Sequence, residues 1–108
     1  MEDGTNLVAL AHAVARHETH SCTKGYGKEY SNCFGLKNGN TAPCPKIGRN
    51  RMCIYDHSDE SYQAFYKIWS KWYGGMPDIE MARKYSGNDR AGIWLANVTA
   101  FYDEYNTL

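Results

Sequence analysis

Four cysteines, Cys22, Cys33, Cys44 and Cys53, all fall within one stretch that glycine and proline keep interrupting. From Ser21 to Tyr55 the chain meets Gly25, Gly27, Gly35, Gly39, Pro43, Pro45 and Gly48, which break up any long helical pattern. The cysteine gaps match neither the C-x-x-C nor the C-x-x-x-x-C knuckle of a structural zinc site. An even count in a loop-rich segment reads instead as two disulfides, and so as an oxidising compartment. Three connectivities are possible. Cys22–Cys33 with Cys44–Cys53 is favoured here because short closures suit local loops. The expectation is a small irregular or short-stranded lobe, with "NCFGLK" and "RMCIY" as its candidate strands.

The lobe is cationic. No acidic residue lies between Glu29 and Asp56, whereas Lys37, Lys46, Arg49 and Arg51 do. Such a charge run is either an ordinary solvated face or a surface for a polyanionic or carboxylate-bearing partner. The chain as a whole carries 12 basic and 12 acidic residues, so no net field draws in nucleic acid.

Helical periodicity flanks the lobe on both sides. Residues 5–19 predict a helix with Thr5 or Asn6 as N-cap. At about 100° per residue, Leu7, Leu10, Ala11, Val14 and Ala15 share one apolar arc. Glu18 projects into the same arc, while His12 and Arg16 point away. After the lobe, Ser58 is the expected N-cap of a helix with Asp59 and Glu60 in its first turn. Tyr62, Phe65, Tyr66, Trp69 and Tyr73 form one stripe of it, with Trp72 on the edge. The stripe reads as core first and as a ligand platform second. "GG" at 74 and 75 ends this helix, a short one is expected over Pro77 to Lys84, and "YSGND" breaks the chain again. A last helix over 89–105 is apolar on two faces, Trp94, Val98, Phe101 and Tyr105 on one and Ile93, Ala96 and Ala100 on the other. That pattern predicts a central position. The fold class is therefore α+β, mainly α: about four helices and a small lobe held by disulfides, in a single domain over residues 1–108. No apolar run approaches the roughly 18 residues of a membrane span. The opening "MEDG" reads as an added start, leaving room for an export signal or a neighbouring domain upstream.

The densest chemistry lies in "HETHSC", residues 17 to 22. His17 and His20 are three apart, one short of the four that let a zinc-protease helix share an ion between two histidines. A metal reading with His17, His20 and Cys22 as ligands ranks third, and no metal or other cofactor is expected. Both histidines read as surface positions. Glu18 is different: a carboxyl group aimed toward the core is desolvated, which raises its pKa and keeps it protonated for general-acid work. The competing readings are a frayed helix end with Glu18 in solvent, or an ion pair with an arginine such as Arg51.

The order of these elements resembles the lysozyme superfamily, in particular bacterial glucosaminidases and lytic transglycosylases. That family has a catalytic Glu at a helix end, a glycine-containing loop and an "NNLFGIK"-like segment; this chain has Glu18, "KGYGKEY" and "SNCFGLK". An aromatic residue before an "S-x-x-E-S" helix start resembles "IYDHSDESYQAFYKIW". The family's late tyrosine resembles Tyr85 in "KYSGNDRAGIWLANV". The likeness runs from residue 7 to 105. It implies a lysozyme-like fold in which Glu18 protonates the glycosidic oxygen between N-acetylmuramic acid and N-acetylglucosamine. Tyr85 would lie beside it, orienting the carboxyl or stabilising the cationic sugar. Phe34, Gly35 and Lys37 would line the cleft, with Tyr26 and Tyr55 as further aromatic contacts to sugar.

The resemblance also implies a monomer acting on peptidoglycan glycan strands in the periplasm or outside the cell, alone or within a larger phage or secretion assembly. Glycoside hydrolases usually pair two carboxylates, yet the lobe supplies none between Glu29 and Asp56. Glu29 or Asp56 could serve, or none is used. The last case fits a lytic transglycosylase, in which the substrate's acetamido group assists and an anhydro-sugar forms. A hydrolytic endo-N-acetylglucosaminidase and a non-catalytic glycan-binding module are the alternatives.

Overall fold

The computed structural model describes residues 3–39 and 44–107. The Pro43 break lies outside the described residues. Helix α1 spans Leu7–Thr19. Asn6 caps it, its side-chain oxygen accepting from the Ala9 N–H at 3.2 Å. Ala9, Leu10, Ala11, Ala13, Val14 and Ala15 are all buried. The apolar face is thus wider than the expected arc, because alanines pack where larger side chains would not fit. At its C-terminus the His20 N–H donates to Arg16 at 3.1 Å and the Ser21 N–H to Ala15 at 3.2 Å. His20, Ser21 and Cys22 all have positive φ (50°, 58° and 71°), so the chain turns sharply out of the helix.

A second helix, α2, covers Gly25–Glu29, in the segment read as a glycine loop. The described residues therefore hold five α-helices, one more than expected. Gly27 makes this one possible. A Cβ there would sit 2.7 Å from the Thr19 Cβ and 2.8 Å from the Cys22 Cα, so only glycine lets α2 lie against the end of α1. The lobe continues with strands β1 (Lys46–Ile47) and β2 (Cys53–Ile54), antiparallel and in register Lys46–Ile54 and Ile47–Cys53. The disulfides pair Cys22 with Cys33 and Cys44 with Cys53, the favoured connectivity.

Asn32 ties the lobe together. Its side chain is fully buried. The amide nitrogen donates to the Leu36 carbonyl at 2.9 Å and the Cys53 carbonyl at 3.0 Å, while its oxygen accepts from the Leu36 N–H at 3.0 Å. One side chain thereby holds the 32–36 turn closed and docks it on β2.

Helix α3 runs Ser58–Trp72. His57, not Ser58, is its N-cap, and the Glu60 carboxylate accepts from the His57 N–H at 3.2 Å. Phe65 and Trp69 are fully buried and stack at 5.4 Å, while Trp72 stays 57% exposed. The short helix α4 is Ile79–Ser86, two residues later than expected. Asp78 caps it, accepting from the Met81 N–H at 2.9 Å, and Gly87 closes it, so Tyr85 and Ser86 belong to the helix rather than to the break. Helix α5, Ala91–Asn106, packs on α1 and α4. Its Ala91, Trp94, Val98 and Tyr102 are buried. The second apolar face is not covered: Ile93 is 68% exposed, and Ala96 and Ala100 are exposed too. Helix α5 is one-sided, not central; the core role falls to α1, which touches α2, α3 and α5. The architecture is α+β and mainly α. Among the described residues, no helix is long and apolar enough to cross a membrane.

Two outcomes follow for stability. Asn32→Ala should take the acceptor from the Leu36 N–H and a donor from the Cys53 carbonyl, while the Leu36 carbonyl keeps the Cys53 N–H at 2.9 Å, costing roughly 1–3 kcal/mol for each group left unpaired in a denaturant titration. The native protein should weigh four hydrogens less than its reduced form, since two cystines are present. Reduction should lower the denaturation midpoint, by roughly 2–4 kcal/mol of stability per bridge.

Candidate active site

Three segments converge on Glu18: the end of α1, the turn after Asn32, and the α4–α5 corner. They enclose an open cleft of about 430 Å³. Glu18 lies in its wall, and as a residue it is exposed rather than turned into the core as its place on the apolar arc predicted. The Trp94 indole N–H donates to Glu18 Oε1 at 3.0 Å, anchoring the carboxyl from α5. Trp94 itself is fully buried, within 6.5 Å of Trp69 and 5.3 Å of Tyr85, ring centre to ring centre. The aromatic stripe of α3 therefore supports the carboxyl indirectly, through Trp69 behind Trp94.

Although the residue is exposed overall, desolvation of its carboxyl by the cleft walls raises the Glu18 pKa above its ordinary value, with the Trp94 hydrogen bond and the charge of Arg90 pulling the other way. Arg51, the ion-pair partner considered from sequence, instead donates to the Asn38 carbonyl at 2.9 Å. The cation that faces Glu18 is Arg90, at the α4–α5 corner.

Gly35 and Phe34 form the facing wall. Gly35 has φ +66°, and a Cβ added to it would lie 3.7 Å from Glu18 Oε2. The glycine backbone thus comes close to the carboxyl in a conformation that other residues adopt only with strain. The Tyr85 hydroxyl donates to the Phe34 carbonyl at 3.0 Å. Burial chiefly, then the charge of Glu18, raises its pKa well above the usual phenol value, so it remains a neutral hydroxyl. Tyr85 shares the cleft with Glu18, and its hydroxyl proton is committed to the Phe34 carbonyl.

Lys37 and Tyr26 also line the cleft, Tyr26 accepting from the Asn50 amide at 2.7 Å and stacking on Tyr30 at 5.4 Å. Tyr55 does not line it; it is buried, 7% exposed. Glu29 is held elsewhere, in a two-oxygen ion pair with Arg49 at 2.5 and 2.6 Å. Asp56 is an exposed residue of the bend before α3. Glu18 is the one carboxylate among the described residues that line the cleft.

Of the two histidines, His20 is exposed but His17 is not a plain surface residue. It lines the cleft, meets Trp94 edge-on at 6.5 Å, and has its pKa lowered by burial, which favours the neutral ring. Cys22, the third ligand of the metal reading, is bonded to Cys33 and offers no thiolate. Sequence reasoning missed Trp94 and Arg90 as site residues. Trp94 looked like one more core residue on an apolar stripe; its indole N–H, which needs an acceptor once buried, was the available signal.

The raised pKa has a consequence for stability. The folded state holds the Glu18 proton more tightly than the unfolded chain, whose value is near 4.5. Stability is therefore lost as pH rises from that value through the folded-state pKa, and the loss persists above it. Glu18→Gln, which cannot ionise and keeps an acceptor for Trp94, should be more stable than the parent at neutral pH. The difference should vanish below pH 4.5 in parallel thermal melts. In comparison with known proteins, no family model, no curated protein and no solved structure matches the chain.

Proposed function

We propose that this domain cleaves peptidoglycan glycan strands between N-acetylmuramic acid and N-acetylglucosamine, with Glu18 as general acid and then general base. The observation that carries this reading is a single carboxyl group of raised pKa, anchored by Trp94, in an open cleft with no second carboxylate among the described residues that line it. A protonated Glu18 can give its proton to the departing glycosidic oxygen. Positive charge then develops at the anomeric carbon. Glycosidases that meet it with a second carboxylate hold the pair roughly 5–9.5 Å apart, and Glu29, occupied by Arg49, is not on the cleft to do so.

The substrate's own acetamido oxygen closes that gap in the scheme. It bonds to the anomeric carbon as the C–O bond to the leaving sugar breaks. Glu18, now ionised, takes a proton from the muramoyl C6 hydroxyl, whose oxygen displaces the acetamido group and forms a 1,6-anhydro ring. The proton lost by Glu18 in the first step is regained in the second, so the enzyme ends as it began. Water is not consumed. In this reading the Tyr85 oxygen and the Phe34–Gly35 backbone would meet the sugar; both line the cleft with Glu18, which supports it. Two disulfides fit an oxidising setting, and with it the cell envelope or the outside of the cell.

The test is mass spectrometry of fragments released from purified cell walls, beside a reducing-sugar assay. Anhydro-muramoyl ends without new reducing ends are expected. Fragments one water heavier would replace the scheme by hydrolysis, and reducing N-acetylglucosamine ends would move the cut to the other linkage. Binding without any released fragment would leave a glycan-binding module. Glu18→Gln should retain fold and glycan binding while losing activity by a factor on the order of 10²–10⁴; near-normal turnover would remove Glu18 from the chemistry. In the parent, activity should decline as pH rises through the elevated Glu18 pKa, because the first step needs the acid form.

A further inference from the structure

A second cluster of aromatic and acidic side chains lies away from the cleft, where α1, α3 and α5 meet. Asp59, Tyr62, Gln63 and Tyr66 project from one face of α3 at helical spacing, around a hollow of about 360 Å³ that His12 of α1 completes. A neighbouring hollow of about 310 Å³ joins His12 to Tyr105 of α5. None of these six residues lines the Glu18 cleft.

The rings form a cup rather than a stack. His12 lies 5.4 Å from Tyr62 and 5.4 Å from Tyr105, with interplanar angles of 58° and 36°. Tyr62 lies 6.3 Å from Tyr66 at 63°. The His12 Nδ1 and the Tyr62 hydroxyl are 3.1 Å apart, which ties α1 to α3 and holds the two rings in place. Tyr62 is further braced against Phe34 in a T-shaped contact, with centroids 4.8 Å apart. Tyr62, Tyr66 and Tyr105 remain half-buried rather than sealed in the core. Burial, then the neighbouring Tyr66, Tyr105 and Asp59, pushes the Tyr62 phenol up to about 12, so that ring stays neutral.

Asp59 gives the cup its sign. Among the described residues no Lys or Arg pairs with it; the ion pairs there are Arg16–Glu104, Arg49–Glu29 and Arg83–Glu80. Tilted electron-rich rings with an unpaired carboxylate at the rim present negative potential from both the π faces and the charge. A sugar would need a flat stacking face and several hydrogen-bond partners, and a purely apolar ligand would have to desolvate Asp59 without compensation. A cation satisfies both features at once. We propose that the His12–Tyr62–Tyr66–Tyr105 cup with Asp59 is a binding site for an alkylammonium group, either the primary ammonium of a lysine-type side chain or a quaternary ammonium.

The site does not depend on the reaction in the Glu18 cleft. Its test is a titration of the labelled full chain followed by NMR, with Nα-acetyl-lysine methylamide and choline as the two cationic probes. The neutral controls are 3,3-dimethyl-1-butanol, which has the shape of choline without its charge, and N-acetylglucosamine. Saturable shifts at His12, Tyr62, Tyr66 and Tyr105 with at least one ammonium are expected, and the tighter of the two identifies the source. The neutral isostere should bind at least about tenfold more weakly. Asp59→Asn and Tyr66→Ala should each weaken the ammonium by about fivefold or more, as loss of one partner of an exposed cation site does. Asp59→Asn is a surface change that preserves shape, so its folding is not at issue. Equal binding of the neutral isostere, tighter binding of N-acetylglucosamine, absence of saturable shifts with both cations, or parent-like affinity in Asp59→Asn would each overturn the proposal.

Discussion

The packing of α5 across α1 is the contact on which the candidate site rests, because it brings the Trp94 indole to the Glu18 carboxyl. A glutamate in the last turn of a helix would otherwise swing freely into water. Here one buried donor holds one of its oxygens, while the other remains available to the cleft. Trp94 can do this only because it is itself immobilised between Trp69 and Tyr85. The large aromatic content of a small chain thus has a specific use. It fills the core with few, stiff side chains, and one of them carries the polar tip that positions the acid.

The disulfide-bonded lobe supplies the opposite wall by a different kind of physics. Its shape is held by covalent links and by Asn32, while Phe34, Leu36 and Tyr55 pack it into the common core. Thr19 joins the two halves: its hydroxyl, at the end of α1, donates to the Cys33 carbonyl at 2.8 Å and accepts from the Cys22 N–H at 3.0 Å. The residue after the catalytic candidate therefore anchors the loop that faces it. Together with the close approach of Gly27 to Thr19, this keeps the distance from Glu18 to the Gly35 backbone short without any large side chain between them.

Charge is distributed unevenly around that cleft. Lys37 and Arg90 line it, and Glu18 is its acid. Arg90 moderates the desolvation of Glu18 without neutralising it, so the carboxyl stays raised in pKa and the protein accepts an intrinsically destabilising group. Among the described residues no ion pair relieves it, in contrast with the satisfied Glu29–Arg49 pair of the lobe.

Periodicity and cysteine spacing by themselves determined the mainly helical class, the position of Glu18 in the last turn of α1, and the two local disulfides. These are short-range properties: a helix phase is set by residues three and four apart, and a short loop closes on itself. What local rules could not reach depended on partners distant in sequence. The α2 helix forms because Gly27 fits against Thr19. The outer face of α5 stays bare because no described element crosses it, although its alanines and Ile93 read as core. Glu29, the nearest remaining carboxylate in sequence, is turned to Arg49, whereas Trp94, 76 positions from Glu18, is its hydrogen-bond donor. A pattern of apolar residues says which side of a helix is buried. Which neighbour buries it, and which polar atom that neighbour brings, is decided only when the chain has packed.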